Sequence, residues 1–348
     1  CNWMYKMRYI GGKTRILPYL ESFLLNKINL VCSDTLSFLD LFAGTGAVAR
    51  HFKSNFQVIT NDNLYFSYLL SKGSVTPNTP PLFLGLKNKS IKDPLDYLNN
   101  ISGIKGFIAN NYACQNNDGR MYFTLENAMR IDAIRLQLND WFGDNWITQD
   151  EFEYLLATLI EAVPFVSNTT GTYGAYLKHW DKRAFKELTL VHPILYDNQQ
   201  QNRAFNQTAE SLTQSIVTDI CYIDPPYNGR QYTSNYHVLE TIAKYDNPTI
   251  KGLTGIREFN SKQSSNFCKK SKVFDAFEQV IKQVSCTHLF ISYSSDGLLS
   301  KQQIEELLKE HGIADTYDFK VIDYNTYKSK IVLRPKVDEY LFYIKKAN

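Results

Sequence analysis

No stretch of this 348-residue chain is apolar enough to span a membrane, no tract is low in complexity and no segment repeats another. A bilayer-crossing helix needs about 20 consecutive apolar residues, and the runs here fall well short of that. A signal-peptide pattern is also lacking, so cytoplasmic residence is expected. The six cysteines, at 1, 32, 114, 221, 268 and 286, form no Cys-x-x-Cys pair and no metal-ligand spacing. That argues against a disulfide framework or a structural zinc and for reduced thiols. Surplus charge is missing too. Thirty-eight Lys and Arg against 35 Asp and Glu leave a net +3, too little to argue a nucleic-acid partner from charge alone. What the chain does have is 44% hydrophobic and 14% aromatic residues, enough for one sizeable core and a smaller lobe.

The pattern of those apolar residues alternates between two periods. Period-two or continuously apolar runs predict strands near 37–42, 57–61, 219–223, 288–293, 317–324 and 338–345. Helical spacing predicts helices near 46–53, 63–72, 234–245, 273–285 and 300–311. Strands alternating with helices mean an α/β fold with a mostly parallel sheet. Residues 103–215 interrupt the alternation, with helical periodicity at Leu125 to Leu138 and Glu151 to Val163 and loops rich in Asn, Gln and Thr. Residues 73–95, with Pro77, Pro80, Pro81 and Pro94, read as a connection at a lobe boundary. The division expected is therefore one domain from 1–102 and 216–348, and an inserted, mainly helical lobe at 103–215.

Two motifs carry chemistry. The run Phe38-Leu39-Asp40-Leu41-Phe42-Ala43-Gly44-Thr45-Gly46 reads as a strand, a glycine turn and the start of a helix. Glycines 44 and 46 allow the backbone to approach a ligand at the carboxyl end of a strand, where open α/β sheets bind nucleotides. The third glycine of the dinucleotide fingerprint is absent, since position 49 is Ala. Asp62, at the end of the next strand, stands where an acidic group can receive ribose hydroxyls.

The second motif is Asp224-Pro225-Pro226-Tyr227, which follows the apolar run Ile220-Cys221-Tyr222-Ile223. An ionised carboxylate accepts hydrogen bonds only, and successive prolines fix the direction of the Pro225 carbonyl. Two acceptors and a stacking ring in one rigid corner suit chemistry on a planar NH2 group, whose lone pair must be drawn out of the ring before it attacks. Tyr227 stacking on a base contributes about 1–3 kcal/mol.

These stretches resemble the alpha class of DNA N6-adenine methyltransferases, the Dam-like group, and most closely the FokI-type modification methylases of type IIS restriction-modification systems. The likeness runs from about residue 8 to 343. It includes Tyr9-Ile10-Gly11-Gly12-Lys13, Asp40 to Gly46, Asp62, and the tetrad with its continuation Asn228-Gly229-Arg230-Gln231-Tyr232. Ser167-Asn168-Thr169, Tyr173 to Lys178 and Phe290 to Gly297 belong to it as well. The resemblance implies a Rossmann-like S-adenosylmethionine-dependent methyltransferase fold, in a bacterial cytoplasm, with S-adenosylmethionine as cofactor and double-stranded DNA as partner. It places Tyr9, Gly11, Gly12, Lys13, Asp40, Phe42, Gly44, Gly46 and Asp62 around the cofactor. Asp224, Pro225, Pro226 and Tyr227 become catalytic. It implies direct transfer to a flipped adenine without a metal, a target-recognition role for the 103–215 lobe, and a cognate restriction endonuclease that acts separately.

Four basic residues are candidates for meeting DNA: Arg120 in an Asn-Asn-Asp-Gly-Arg turn, Lys178, Arg230 just past the tetrad, and Arg257 in a glycine-containing basic segment. Trp180, Lys182 and Arg183 are further candidates for phosphate contact. Two other functions stand beside the main one. An RNA amino-methyltransferase would share the tetrad chemistry, and a non-catalytic methyltransferase-like module would bind DNA without it.

Overall fold

The computed structural model describes residues 12–28, 35–115, 118–259, 263–324 and 337–347. In chain order the strands are β1 (Ser37–Asp40), β2 (Gln57–Asn61), β3 (Cys114–Gln115), β4 (Asp118–Gly119), β5 (Arg203–Phe205), β6 (Val217–Ile223), β7 (Ile250–Lys251), β8 (Ile256–Arg257), β9 (Ser285–Ser294), β10 (Ile313–Tyr324) and β11 (Val337–Lys345). They fall into two compact units. One comprises Lys13–Asn63, Gln200–Gln231 and Ser261–Asn348; the other comprises Leu64–Gln199 and Tyr232–Asn260.

The first unit is built on a seven-stranded sheet of order β10-β11-β9-β6-β1-β2-β5. β5, β2, β1, β6 and β9 pair in parallel, and β11 lies antiparallel to both β9 and β10. A parallel strand covered on both faces reads as a continuous apolar run, which is why Ile220, Cys221, Tyr222 and Ile223 are all fully buried. Alternate side chains serve opposite faces. Leu39, Cys221, Ile223, Leu289 and Ile291 pack with Phe277, Ile281, Ile304 and Leu308 from the helices Val273–Gln283 and Lys301–His311. Phe38, Ile220, Tyr222 and Phe290 pack with Leu20, Phe23 and Phe52 from the helices Leu17–Leu25 and Ala47–Phe52. The result is a mostly parallel α/β sheet with helices on each face, consistent with the methyltransferase fold expected.

The second unit is mainly helical. Its principal helices are Tyr65–Ser74, Leu125–Gly143, Gln149–Ala162 and His237–Lys244. Thr148 and Glu151 form a reciprocal capping box at the start of Gln149–Ala162. The helix Tyr65–Ser74 has no side-chain cap of its own at Leu64; Glu240 accepts the Tyr65 and Phe66 N–H groups at 3.3 and 3.0 Å instead. Gly73 lets that helix lie close to Gln149–Ala162, since a Cβ there would sit 2.2 Å from the Ala157 Cβ. Asp132 is wholly buried and accepts from the N–H groups of Gly106, Ile108 and Ala109 and from the Tyr245 hydroxyl, at 2.6 to 2.9 Å. It thereby closes the start of the helix Phe107–Tyr112.

The compact units differ from the 103–215 division. Residues 64–102 and 232–260, expected with the sheet, group with the helices, because Tyr65–Ser74 packs on Gln149–Ala162 and Glu240 caps it. Residues 200–215 go the other way, since β5 extends the sheet beside β2. The 73–95 connection contains the helix Leu84–Asn88 and ends at Pro94, the first residue of the helix Pro94–Asn99.

Candidate active site

The sheet reverses its order of growth between β1 and β6. From β1 the chain steps outward to β2, whereas from β6 it steps to β9 on the other side. The carboxyl ends of two such strands leave a crevice where open α/β sheets bind ligands. Asp40 is the last residue of β1, and Asp224 directly follows the last residue of β6. Both motifs therefore come from the switch point, and all the residues that follow belong to the sheet unit.

At the end of β1 the chain turns sharply. Gly44 has φ 54° and Gly46 φ 71°, the left-handed region that a side chain disfavours. The turn is stitched to β2, with Ala43 N–H donating to the Asn61 carbonyl at 2.9 Å and Asn61 Nδ2 donating to the Leu41 carbonyl at 3.1 Å. Asp62 Oδ2 accepts the Gly44 N–H at 2.9 Å, so this carboxylate positions the glycine turn. Half-buried Phe42 packs edge-on against Phe267, their ring centroids 5.0 Å apart.

Asp40 is 1% exposed. Its Oδ2 accepts the Ala49 N–H at 3.3 Å, while Oδ1 is buried with no hydrogen-bond partner. Burial, followed by the nearby Asp224 carboxylate, pushes the Asp40 pKa up to about 8. An orphaned acceptor in a charge-poor interior is costly unless a ligand supplies a donor.

Asp224 is treated differently. Lys13 Nζ lies 3.0 Å from its Oδ1 and 2.5 Å from Glu339 Oε1, and Ser292 Oγ also donates to Glu339. Burial pushes the Asp224 pKa up to about 7, with Lys13 opposing and Glu339 adding to the rise. Burial also works against the Lys13 ammonium, but the two carboxylates outweigh it and hold its pKa above the ordinary lysine value. Asp40, Asp224 and Glu339 thus set three buried carboxylates against one buried ammonium, an imbalance that favours a cationic ligand.

Past the tetrad the chain is held in place. The Leu298 N–H donates to the Tyr227 carbonyl at 3.0 Å, and the half-buried Tyr227 packs on the core beneath the sheet. Asn228 Oδ1 accepts the Arg230 N–H at 3.1 Å, and Gln231 and Ser265 exchange two hydrogen bonds at 2.9 and 3.0 Å.

Of the expected site residues, Lys13, Asp40, Phe42, Gly44, Gly46, Asp62 and Asp224 to Tyr227 all occur in this unit. Tyr9 and Gly11 lie outside the described residues, as do Asn116 and Asn117 of the turn before Arg120; Gly12 is exposed. Lys178 and Arg230 are exposed, as a phosphate contact requires. Two DNA expectations need correction. Arg257 is only 5% exposed, and its guanidinium is bound to Asp246 at 2.6 Å. Arg120 spends its Nε, Nη1 and Nη2 on the carbonyls of Leu253, Asn111 and Gly252, so it holds backbone and is not presented to base edges. Sequence reasoning missed Glu339 and Ser292. The one signal was an acid just ahead of the aromatic strand Tyr340 to Tyr343, and its partner Lys13 lies 326 positions away.

The chain matches the family described as D12 class N6 adenine-specific DNA methyltransferase over residues 9–307. It is 47% identical to the type II methyltransferase M.FokI of Planomicrobium okeanokoites, over 98% of this chain and 53% of that protein. It is 41% identical to the modification methylase StsI of Streptococcus sanguinis, over 98% of this chain and 52% of that one. The type II methyltransferase M.NlaIII of Neisseria lactamica is 37% identical over 93% of both. The chain therefore spans about half the length of the first two relatives and nearly all of the third. A glycine turn, a lysine-held tetrad and these matches converge: the chain belongs to the D12 class of N6 adenine-specific DNA methyltransferases.

Proposed function

We propose that this chain transfers a methyl group from S-adenosylmethionine to the exocyclic amine of an adenine flipped out of duplex DNA, as the modification half of a restriction-modification system with a separate endonuclease. The observation that carries this reading is the buried pairing of Lys13 with Asp224 at the switch point, directly after β6. Such a pair orients one carboxylate oxygen permanently and keeps it an acceptor.

The residues present fit the cofactor. Bound S-adenosylmethionine supplies a methyl group on a positively charged sulfur. Asp40 Oδ1, buried and lacking a donor, is the natural acceptor for its ammonium, with Gly44 and Gly46 giving the backbone close approach and Asp62 facing its ribose. The surplus of buried carboxylates favours its positive charge.

On the substrate side, Asp224 and the Pro225 carbonyl each take one N–H of the adenine amine and draw its lone pair toward a tetrahedral, attacking form. Tyr227 stacks on the ring, which with the polar contacts offsets the few kcal/mol that unpairing costs. Lys13 and Glu339 position Asp224. The helical unit offers a surface for the DNA backbone: Trp180 and the exposed Phe185 pack at 5.6 Å, with Lys178, Lys182 and Lys186 exposed around them. Aromatic rings among cations suit a phosphate-lined partner.

The test is transfer of a labelled methyl group to duplex DNA, followed by nucleoside analysis and mapping. N6-methyladenine at one short motif is the expected result. Incorporation into RNA and not DNA would replace this reading with an RNA amino-methyltransferase.

A further inference from the structure

The hairpin β7–β8 of the helical unit ends in the loop Gly252-Leu253-Thr254-Gly255, and all four carbonyls of that loop accept a side-chain hydrogen bond. Arg120 Nη2 donates to Gly252 at 3.1 Å and Arg120 Nε to Leu253 at 3.0 Å. The Tyr122 hydroxyl donates to Thr254 at 3.0 Å and the Tyr112 hydroxyl to Gly255 at 2.8 Å. Both tyrosines are wholly buried. The two glycines turn the chain with φ of 70° and 66°, and Gly255 lies so close to Arg120 that a Cβ would sit 2.7 Å from its Nε. The loop is thus rigid before any partner arrives. Its tip is Leu253, 88% exposed.

A solitary exposed apolar side chain is ordinary and argues nothing by itself. A leucine displayed on a loop with every carbonyl tied down is different, because nothing in the loop lets it fold back to a buried position. The three bonds from Arg120 go to neutral carbonyls and leave its positive charge uncompensated directly under the tip. Exposed Lys251 stands at the base of the hairpin. An apolar tip on a cationic, preformed support is complementary to a partner that is polyanionic outside and apolar within, which is the description of a stacked duplex.

We infer that Leu253 is a wedge that enters the base stack of duplex DNA and fills the space an extruded adenine leaves. Apolar side chains, leucine among them, insert between base steps in this way, and a rigid support avoids an ordering cost on binding. The inference rests on the methyl-transfer reading above and deepens it. Leu253 then acts in extrusion rather than in chemistry: it stabilises the flipped state and leaves the reacting amine to Asp224.

The test separates extrusion from catalysis. Wild-type protein is used to map the methylated motif, and duplexes carrying it are made with the target adenine paired to thymine or facing an abasic site. Leu253→Ala is expected to slow single-turnover methylation of the paired duplex about tenfold or more, and that of the abasic-partner duplex less than about threefold, because unpairing has already been removed from the cost there. Leu253→Phe, also a competent wedge, should stay within about threefold of wild type on both. The melting temperature of Leu253→Ala should match that of wild type, since the side chain packs on little. With 2-aminopurine at the target position, the fluorescence rise on binding should shrink in Leu253→Ala. Equal losses on the two duplexes, or no loss on either, overturn the wedge. Wild-type protein that methylates no DNA at the mapping step removes the catalytic reading, and the wedge with it.

Discussion

Asp132 in the helical unit and Asp40 and Asp224 in the sheet unit are all carboxylates taken out of water, yet the fold completes them differently. Asp132 receives three backbone N–H groups and a tyrosine hydroxyl, so its capacity is filled from within the unit. Asp224 is held by an ammonium, and Asp40 keeps one buried oxygen with no donor at all. A carboxylate saturated by its own backbone belongs to the architecture. One left short of a donor at a strand end is a place prepared for something else. The same residue type, in one chain, thus separates structure from site by what surrounds it.

The comparison can be broken most sharply at Asp224. Asp224→Ala should lower methyl transfer by at least about 10²–10³-fold, the scale of losing a preorganised hydrogen-bonding group, while cofactor affinity stays near wild type. Near-normal turnover in that variant would remove Asp224 from its role. Asp132→Ala should do the reverse. Leaving four donors without their acceptor costs about 3 kcal/mol or more of stability, with activity per folded molecule kept; chemical denaturation and an active-site titration check both halves.

Asp40 offers a test with a defined sign. Its folded pKa of about 8 stands above the ordinary 3.8, so between those values the folded protein holds a proton that the unfolded chain releases. Its contribution therefore makes the cofactor-free protein less stable as pH rises from about 4 to 8. Asp40→Asn should flatten that decline by about 1–3 kcal/mol between pH 5 and 8 and weaken cofactor binding; an unchanged pH profile would mean Asp40 carries no such strain. A smaller effect is expected at Glu339. Methyl transfer should fall as pH drops through about 7, where Asp224 takes up a proton. Glu339→Gln removes a neighbouring negative charge and should move that acidic limb down by on the order of half a pH unit. The smallest effect is at Tyr245→Phe, which removes one of the four donors to Asp132: about 1 kcal/mol of stability and no change in the pH–rate profile.

Much of this was legible in the residues. Apolar runs placed β1, β2, β6, β9, β10 and β11, because burial on both faces of a sheet leaves a local signature. The glycine turn and the tetrad announced themselves because backbone freedom and rigidity are properties of Gly and Pro wherever they stand. β5 was missed, since three residues at a sheet edge carry little periodicity and owe their strand state to pairing with β2. Arg120 and Arg257 illustrate the other failure. A basic residue beside glycines reads as free to meet phosphate, and only its neighbours decide whether it is spent on carbonyls or on an aspartate.

By itself, then, the sequence determined the class of fold, the order of its motifs and the chemistry of the tetrad, all of which depend on residue types and short-range spacing. Which carboxylates are satisfied, which lysine holds Asp224, where the units divide and which side chain crowns the β7–β8 hairpin were decided by tertiary structure alone. Each of those depends on groups brought together across tens to hundreds of residues, where burial makes an unpaired charge expensive and a filled hydrogen bond decisive.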